Sequence, residues 1–297
     1  MQRTSDSPAP IDLDGHPYRL AVRAGRGDTV VRVGPGRVPI GGAHVAVIAG
    51  PCAVEGRQPL LSTAAALRDL GVQLLRGGAF KPRTSPYSFQ GLGEEGLELL
   101  AEARAQSGLG IISEVLTPEE VDLVAGYADV LQVGTRNMAN YRLLETLGTC
   151  GKPVLLKRGQ GSTIEELLCA AEYVLAAGNP DVILCERGVR SFEPLVRNAF
   201  DLNVVPLLRK LTHLPVLVDP SHAAGRADLV HGVSLGAIAA GAHGLIVEVH
   251  ESPESALVDG AQTLDIPAAE RLLDGVDAIC AAIGRRHERA ASPAVAA

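Results

Sequence analysis

From His44 onward, short runs that are apolar at nearly every position alternate with stretches whose apolar residues recur at intervals of three and four. The apolar runs predict strands at 45–49 (VAVIA), 72–76 (VQLLR), 110–114 (GIISE), 129–133 (DVLQV), 153–157 (PVLLK), 182–185 (VILC), 215–219 (PVLVD) and 244–248 (GLIVE). Strands without a polar face belong to a parallel sheet buried on both sides, and parallel strands need crossover helices to join them. The intervening stretches supply the helix signals. Thr117-Pro118 with Glu120, and Ser162 with Glu165, read as capping boxes. Ile164, Leu167, Leu168, Ala171 and Val174 form one apolar stripe, and Leu272, Val276, Ile279, Cys280 and Ile283 form another after the last strand. Eight such units over about 250 residues predict an α/β fold, the (β/α)8 TIM barrel, spanning 43–286.

Ahead of the barrel, TVVRVGPGRVPIGG (29–42) offers two β-like runs around Gly34-Pro35-Gly36, so 1–42 reads as an N-terminal arm ending in a short hairpin. Residues 1–15 are polar and Pro-rich and are expected to be mobile. The chain from Arg285 is expected to fray, with 287–297 as a C-terminal tail. An arm this short falls below the ~50 residues of a small domain, so no separate regulatory domain is expected in it.

Composition narrows the function. With 46% hydrophobic and 21% charged residues the chain can build a core. Aromatic residues make up only 3%, Trp is absent and the net charge is −7, which excludes a nucleic-acid platform built on a basic face and stacking rings. No stretch reaches the ~20 apolar residues of a membrane span, and the N-terminus lacks the apolar core of a signal peptide. Five cysteines, an odd number without a CxxC pair, fit a reduced, cytoplasmic setting.

Helix-to-strand links are brief, whereas strand-to-helix links such as 77–91 and 249–267 are long, which places function at the carboxyl ends of the strands. Those ends deliver two groups. Arg76 with Lys81 and Arg83, then Arg136, Lys157 with Arg158, and Arg187 form a cationic set suited to phosphate and carboxylate, against the alternative of solvated surface charge. Two of the four lysines in the chain fall in this set. Cys52, His222, Glu248 and Asp259 form the other group, which barrel closure makes contiguous. One thiol, one imidazole and two carboxylates suit a single catalytic divalent metal such as Mn²⁺, Fe²⁺, Co²⁺ or Zn²⁺ rather than a structural zinc site. Taken singly, Cys52 reads equally as a small buried hydrophobe and Asp259 as a turn residue before Gly260. Glu114 ends the third strand inside the mouth, where it can orient a water or an Arg, or form an ion pair. No role is assigned to Glu186 or His250. His213, His231 and His243 read as packing or surface residues.

The stretches IAGPCAVE (48–55), LRGGAFKPRTSPYSFQGLGEEGL (75–97), QVGTRN (132–137), PVLLKRG (153–159), CERGVRSFE (185–193), VDPSHAAGR (218–226) and VEVHESPESALVDGAQTL (247–264) resemble the 3-deoxy-D-arabino-heptulosonate 7-phosphate (DAHP) synthases. The match is to the short microbial type I beta subclass, related to the 3-deoxy-D-manno-octulosonate 8-phosphate synthases. The resemblance implies a transferase that condenses phosphoenolpyruvate with erythrose 4-phosphate and water at the first step of the shikimate pathway to aromatic amino acids. It implies that Cys52, His222, Glu248 and Asp259 bind the metal. Arg76, Arg136, Lys157 and Arg187 would then hold phosphoenolpyruvate, and Lys81, Arg83, Thr84 and Ser85 with Arg226 would address the sugar phosphate. Lys157, Arg76, Lys81 and Glu114 are the catalytic candidates. Small phosphorylated substrates and a homo-oligomer, dimer or tetramer, are the implied partners. The KPRT segment separates this subclass from the octulosonate relatives, which show an Asn-Arg-containing segment there. Thr135 and the QGS at 160–162 depart from the family pattern without touching a proposed ligand. The rival readings are an octulosonate synthase, a synthase using an amino-sugar phosphate, a Schiff-base aldolase with Lys157 as nucleophile, and a catalytically silent barrel that binds phosphorylated metabolites.

Overall fold

Hydrogen bonding joins all eight expected strands edge to edge into a closed parallel sheet in the computed structural model, which describes residues 15–290. The expectations for 1–14 and 291–297 lie outside the described residues. In chain order the elements are β1 (Val31–Val33), β2 (Val38–Ile40), β3 (His44–Gly50), α1 (Arg57–Asp69), β4 (Leu74–Arg76), α2 (Glu94–Ser107), β5 (Gly110–Glu114), α3 (Val121–Tyr127), β6 (Val130–Val133) and α4 (Tyr141–Leu147). They continue with β7 (Val154–Lys157), α5 (Ile164–Ala176), β8 (Val182–Glu186), α6 (Val204–Leu211), β9 (Val216–Val218), α7 (Pro220–Ala224), α8 (Ala227–Ala239), β10 (Gly244–Glu248), α9 (Ile266–Ala282) and β11 (Arg286–His287). β3 to β10 pair in sequence order, and β10 closes on β3 from Gly244 opposite Ala46 to Glu248 opposite Gly50.

The period of two along each strand sorts the core into two shells. Inward-facing Ala46, Ile48, Leu74, Ile112, Val130, Leu155, Ile183, Cys185, Leu217 and Ile246 fill the barrel. Their outward-facing neighbours, among them Val47, Leu75, Ile111, Leu131, Leu156, Leu184, Val218 and Leu245, pack in a second cluster with the helices.

The expected hairpin is β1 and β2, paired antiparallel with Val33 opposite Val38. Val31, Val33, Val38 and Ile40 belong to the interior cluster, so the hairpin plugs one end of the barrel. That end is the amino-terminal one: Gly34, at φ +68°, lies so close to the first residue of β5 that a Cβ there would meet the Gly110 Cα at 2.9 Å. Upstream, the Leu20 and Ala21 amides donate to the Glu172 carboxylate at 2.8 and 2.9 Å, which ties the arm to α5. His213 joins arm to barrel, with its ring nitrogens 2.7 Å from the Thr29 hydroxyl and 2.8 Å from the Leu20 carbonyl.

Three local expectations are corrected. The capping box of α5 is Thr163 with Glu166, one residue later than Ser162 with Glu165, because the Ser162 amide is committed to a tight turn closed by the Gly159 carbonyl. The Thr117–Glu120 box is present as read. Ile283 caps α9 and is exposed, because the helix ends at Ala282 before the stripe completes. The segment after Arg285 does not simply fray: β11 pairs in parallel with His44 and Val45, and the Ala290 amide donates to the Gly71 carbonyl.

Candidate active site

The inward rows stay apolar through the body of the barrel and turn polar at their last position. Leu74 is followed two residues on by Arg76, Ile112 by Glu114, Val130 by Gln132, Leu155 by Lys157, Cys185 by Arg187, Leu217 by Asp219 and Ile246 by Glu248. All seven polar side chains are buried, so the sheet itself aims a layer of charge at one point. Above them lies a cavity of about 250 Å³ whose lining includes Arg76, Lys81, Arg136, Lys157, Arg187 and His222.

One side of this cavity holds the mixed donor set. Donor atoms of Cys52, His222, Glu248 and Asp259 all lie within 4.8 Å of one another. Two tetrahedral ligands at about 2.0–2.3 Å from one ion lie roughly 3.3–3.8 Å apart, and the Cys52–Asp259, His222–Glu248 and His222–Asp259 donor pairs, at 3.3, 3.3 and 3.7 Å, have that spacing. His222 comes from α7, whose N-cap Asp219 accepts both the His222 amide at 2.9 Å and its Nδ1 at 2.8 Å. A carboxylate only accepts, so Nδ1 carries the proton and Nε2 presents a lone pair. Nε2 lies 3.3 Å from Glu248 Oε1 and 3.7 Å from Asp259 Oδ2. Burial pushes the His222 pKa down despite Asp219 and Glu248, which keeps the ring neutral and able to ligate. Burial, then Glu248, push the Cys52 thiol up against the pull of Lys81 and Arg76. The thiol is therefore protonated in the metal-free protein and donates to Asp259 Oδ2 at 3.3 Å, and a bound cation would draw that proton off.

Two further observations fit a metal. Glu248 Oε1 is buried and makes no hydrogen bond, although Arg76 Nη2 lies 3.3 Å away, while Oε2 takes the Gln262 amide at 2.8 Å. Asp259 adopts a left-handed φ of 56°, an uncommon conformation outside glycine that collects at functional sites. Asp259 and Cys52, each open to a bland reading when taken singly, are in hydrogen-bond contact here, with Cys52 also packed against Ala53 and Val258.

The other side is cationic. Arg76 and Arg187 are each 3% exposed, and each leaves a buried Nη1 without a partner. A guanidinium withdrawn from water with an unused donor is costly unless a ligand supplies the anion. Lys81 Nζ donates to the Cys52 carbonyl at 3.1 Å and lies 3.9 Å from Glu114 Oε2, so it bridges the two sides. Burial works against the Lys81 ammonium, but Cys52 and Glu114 outweigh it and raise its pKa. Lys157 pairs with the fully buried Asp219, whose carboxyl is held well below its ordinary range because His222 and Lys157 outweigh burial. Glu114 is packed against the turn after β6, where a Cβ on Gly134 would collide with its carboxylate, and it accepts the Gln132 amide at 3.3 Å. Arg83, Thr84 and Ser85 line the outer part of the cavity with Arg136.

Two expected cations are placed elsewhere. Arg226 does not line the cavity: it is exposed and forked onto Asp228 at 3.1 and 2.8 Å, because α8 starts immediately after it and turns it outward. Arg158, adjacent to Lys157 on the alternating strand, points the opposite way and is bound to Glu186 at 2.9 Å and the Ser162 carbonyl at 2.8 Å. That pairing also explains Glu186, a structural partner whose pKa burial raises against Arg158.

Sequence reasoning missed Gln132, Asp219, Arg197 and Gln262. The first two follow from counting inward positions along β6 and β9. Arg197 had no such signal: it sits in the long connection between β8 and α6, where it donates to Asp259 Oδ1 at 3.1 Å and Gln262 Oε1 at 2.9 Å.

The profile of the DAHP synthetase I family matches residues 22–279. The chain is 53% identical over 269 residues to a phospho-2-dehydro-3-deoxyheptonate aldolase of Thermotoga maritima, covering 90% of this chain and 79% of that protein. The crystal structure of a DAHP synthase from Thermotoga maritima superposes with a TM-score of 0.88 at 51% identity, covering 92% of this chain and 80% of the other. A 2-dehydro-3-deoxyphosphooctonate aldolase of Methylococcus capsulatus is 32% identical over 256 residues, 80% of this chain and 89% of its own. With the barrel, its charged mouth and these matches in agreement, the chain belongs to the DAHP synthetase I family.

Proposed function

We propose that this chain condenses phosphoenolpyruvate with erythrose 4-phosphate and water, giving DAHP and inorganic phosphate for aromatic amino acid biosynthesis. The observation that carries this reading is the meeting, over one cavity, of unpartnered guanidinium donors from Arg76 and Arg187 with the Cys52, His222, Glu248 and Asp259 donor set. Arg76, Arg136, Lys157 and Arg187 hold the phosphate and carboxylate of phosphoenolpyruvate. Arg83, Thr84 and Ser85, farther out, receive the phosphate of the aldose. Bringing two anions together is the main task, and the cationic wall offsets their repulsion.

Cys52, His222, Glu248 and Asp259 would hold one divalent ion of the Mn, Fe, Co or Zn class. Bound there, it supplies Lewis-acid polarisation or activates water. The third carbon of phosphoenolpyruvate bonds to the aldehyde carbon, water adds to the second carbon, and the hemiketal phosphate releases phosphate. Lys157 and Lys81 both line the cavity, with Glu114 beside Lys81, and are the groups we assign to deliver or accept protons. A Schiff-base route is disfavoured because Lys157 Nζ is engaged by Asp219, whereas imine formation needs a free lone pair.

The cytoplasm is the setting we propose, in keeping with five unpaired cysteines; no described helix is long and apolar enough to cross a membrane. A homo-oligomer is the proposed assembly. The test is phosphate release from phosphoenolpyruvate with erythrose 4-phosphate, arabinose 5-phosphate or an amino-sugar phosphate, before and after chelation. Turnover should require erythrose 4-phosphate, stop on chelation and return with Mn²⁺. Preference for arabinose 5-phosphate would make it an octulosonate synthase, and chelator-insensitive turnover would remove the metal role.

A further inference from the structure

Asp219 serves no group of its own in the reaction just described, yet it is fully buried where the two sides of the cavity meet. Its Oδ1 accepts the His222 backbone amide at 2.9 Å and so fixes the first turn of α7. Its Oδ2 accepts His222 Nδ1 at 2.8 Å and is also the partner of Lys157 Nζ. One carboxylate therefore touches a residue of the donor set and a residue of the cationic wall, and both contacts fall on the same oxygen. A bare buried carboxylate is strongly unfavourable, and these two partners are what hold it. Removing it would leave the His222 ring free to rotate or exchange tautomers and Lys157 without an anchor.

We infer that Asp219 is a positioning residue: it aims the His222 Nε2 lone pair at Glu248 and Asp259 and at the same time holds the Lys157 ammonium over the cavity. The inference rests on the function proposed above. A carboxylate behind a ligating histidine fixes ring orientation and strengthens the imidazole as a ligand, and its loss ordinarily costs about 10–100-fold in metal affinity. Here the same carboxylate also sets the neighbouring substrate group, so one substitution should weaken two ligands that it does not touch.

The test uses the full chain, chelated and then titrated with Mn²⁺ alone, and separately with phosphoenolpyruvate at saturating Mn²⁺. D219N should bind Mn²⁺ about 10–100-fold more weakly than wild type, and phosphoenolpyruvate more weakly as well. K157M should lose phosphoenolpyruvate affinity while keeping Mn²⁺ affinity within about threefold, because the His222–Asp219 contact survives. A purely structural Asp219 would lower the unfolding temperature and leave both affinities of the folded fraction alone, and that result overturns the inference. Should D219N fail to fold, ¹⁵N NMR of the His222 ring in metal-free wild type decides: a proton on Nδ1 supports the role, and a proton on Nε2 overturns it. Wild type that binds neither Mn²⁺ nor Zn²⁺ would instead refute the proposed metal site, and the His222 half of the inference with it, whatever the His222 ring shows.

Discussion

The two ends of the barrel are built on the same strands and the same inward-facing rows, yet they close in opposite ways. At the amino-terminal end the rows begin with Leu74, Val130 and Leu155, and the hairpin lays Val31, Val33, Val38 and Ile40 over them in one apolar cluster. At the carboxyl end the same rows finish with Arg76, Gln132 and Lys157, buried but facing an open cavity. Apolar burial stabilises the first end at about 25 cal/mol per Å². The second end withdraws guanidinium and carboxylate groups from water and leaves one nitrogen each of Arg76 and Arg187 and one oxygen of Glu248 without a hydrogen bond, which opposes folding. The difference separates stability from function within one sheet: the plugged end holds the barrel shut, and the charged end is the one that the ligands of the proposed function would complete.

Substitutions at the two ends should therefore fail in different ways. The largest effect is expected from Arg187→Met. Burial already disfavours this guanidinium, lowering its pKa against the pull of Asp219, and no hydrogen bond or ion pair engages its side chain among the described residues. Its loss should lower turnover about 10²–10³-fold, the range found when one donor to a developing or transferred anion is removed. The unfolding temperature should stay level or rise, since a buried unpaired charge is replaced by an apolar chain of similar length. A large drop in that temperature would erase the contrast between the ends.

Ile40→Ala probes the plug. Ile40 is fully buried in the interior cluster, so truncation should cost about 2–5 kcal/mol in denaturant unfolding. The kcat of the protein that remains folded should be unchanged, because the cavity lies at the other end of the strands. A loss of kcat without a loss of stability would show that the plug shapes the mouth.

The smallest effect concerns pH. His243, just before β10, accepts the Val216 amide at 2.9 Å and abuts Arg209. Burial, then Arg209 and Arg285, push its pKa down to about 3, below the ordinary value of 6.5. Between these values the unfolded chain binds a proton that the folded chain refuses. The contribution of His243 is thus complete above pH 6.5 and is lost as pH falls toward 3. From pH 7 to pH 5 this amounts to about 2 kcal/mol at 1.36 kcal/mol per pH unit. His243→Asn should flatten the pH dependence of unfolding by that amount, and parallel curves for variant and wild type would exclude the assignment.

The local pattern of residues was sufficient for much of this molecule. Unbroken apolar runs such as VAVIA and PVLLK predict buried parallel strands because no face is left for water, and Gly34-Pro35-Gly36 specifies the hairpin through turn chemistry. Part of the polar layer was legible too, Arg76, Glu114, Lys157, Arg187 and Glu248 being read at strand ends while Gln132 and Asp219 were missed. Tertiary structure decided the rest. Whether Cys52 is a core filler or a ligand depends on Asp259, 207 residues away in sequence. Whether an arginine serves the cavity depends on direction: Arg187 faces in, while Arg158 and Arg226 are captured by Glu186 and Asp228. Such choices turn on distance and desolvation, which a linear pattern does not encode. Strand identity is written locally because it depends on a residue's immediate neighbours, whereas a site is a meeting of strand ends that exists only once the sheet has closed.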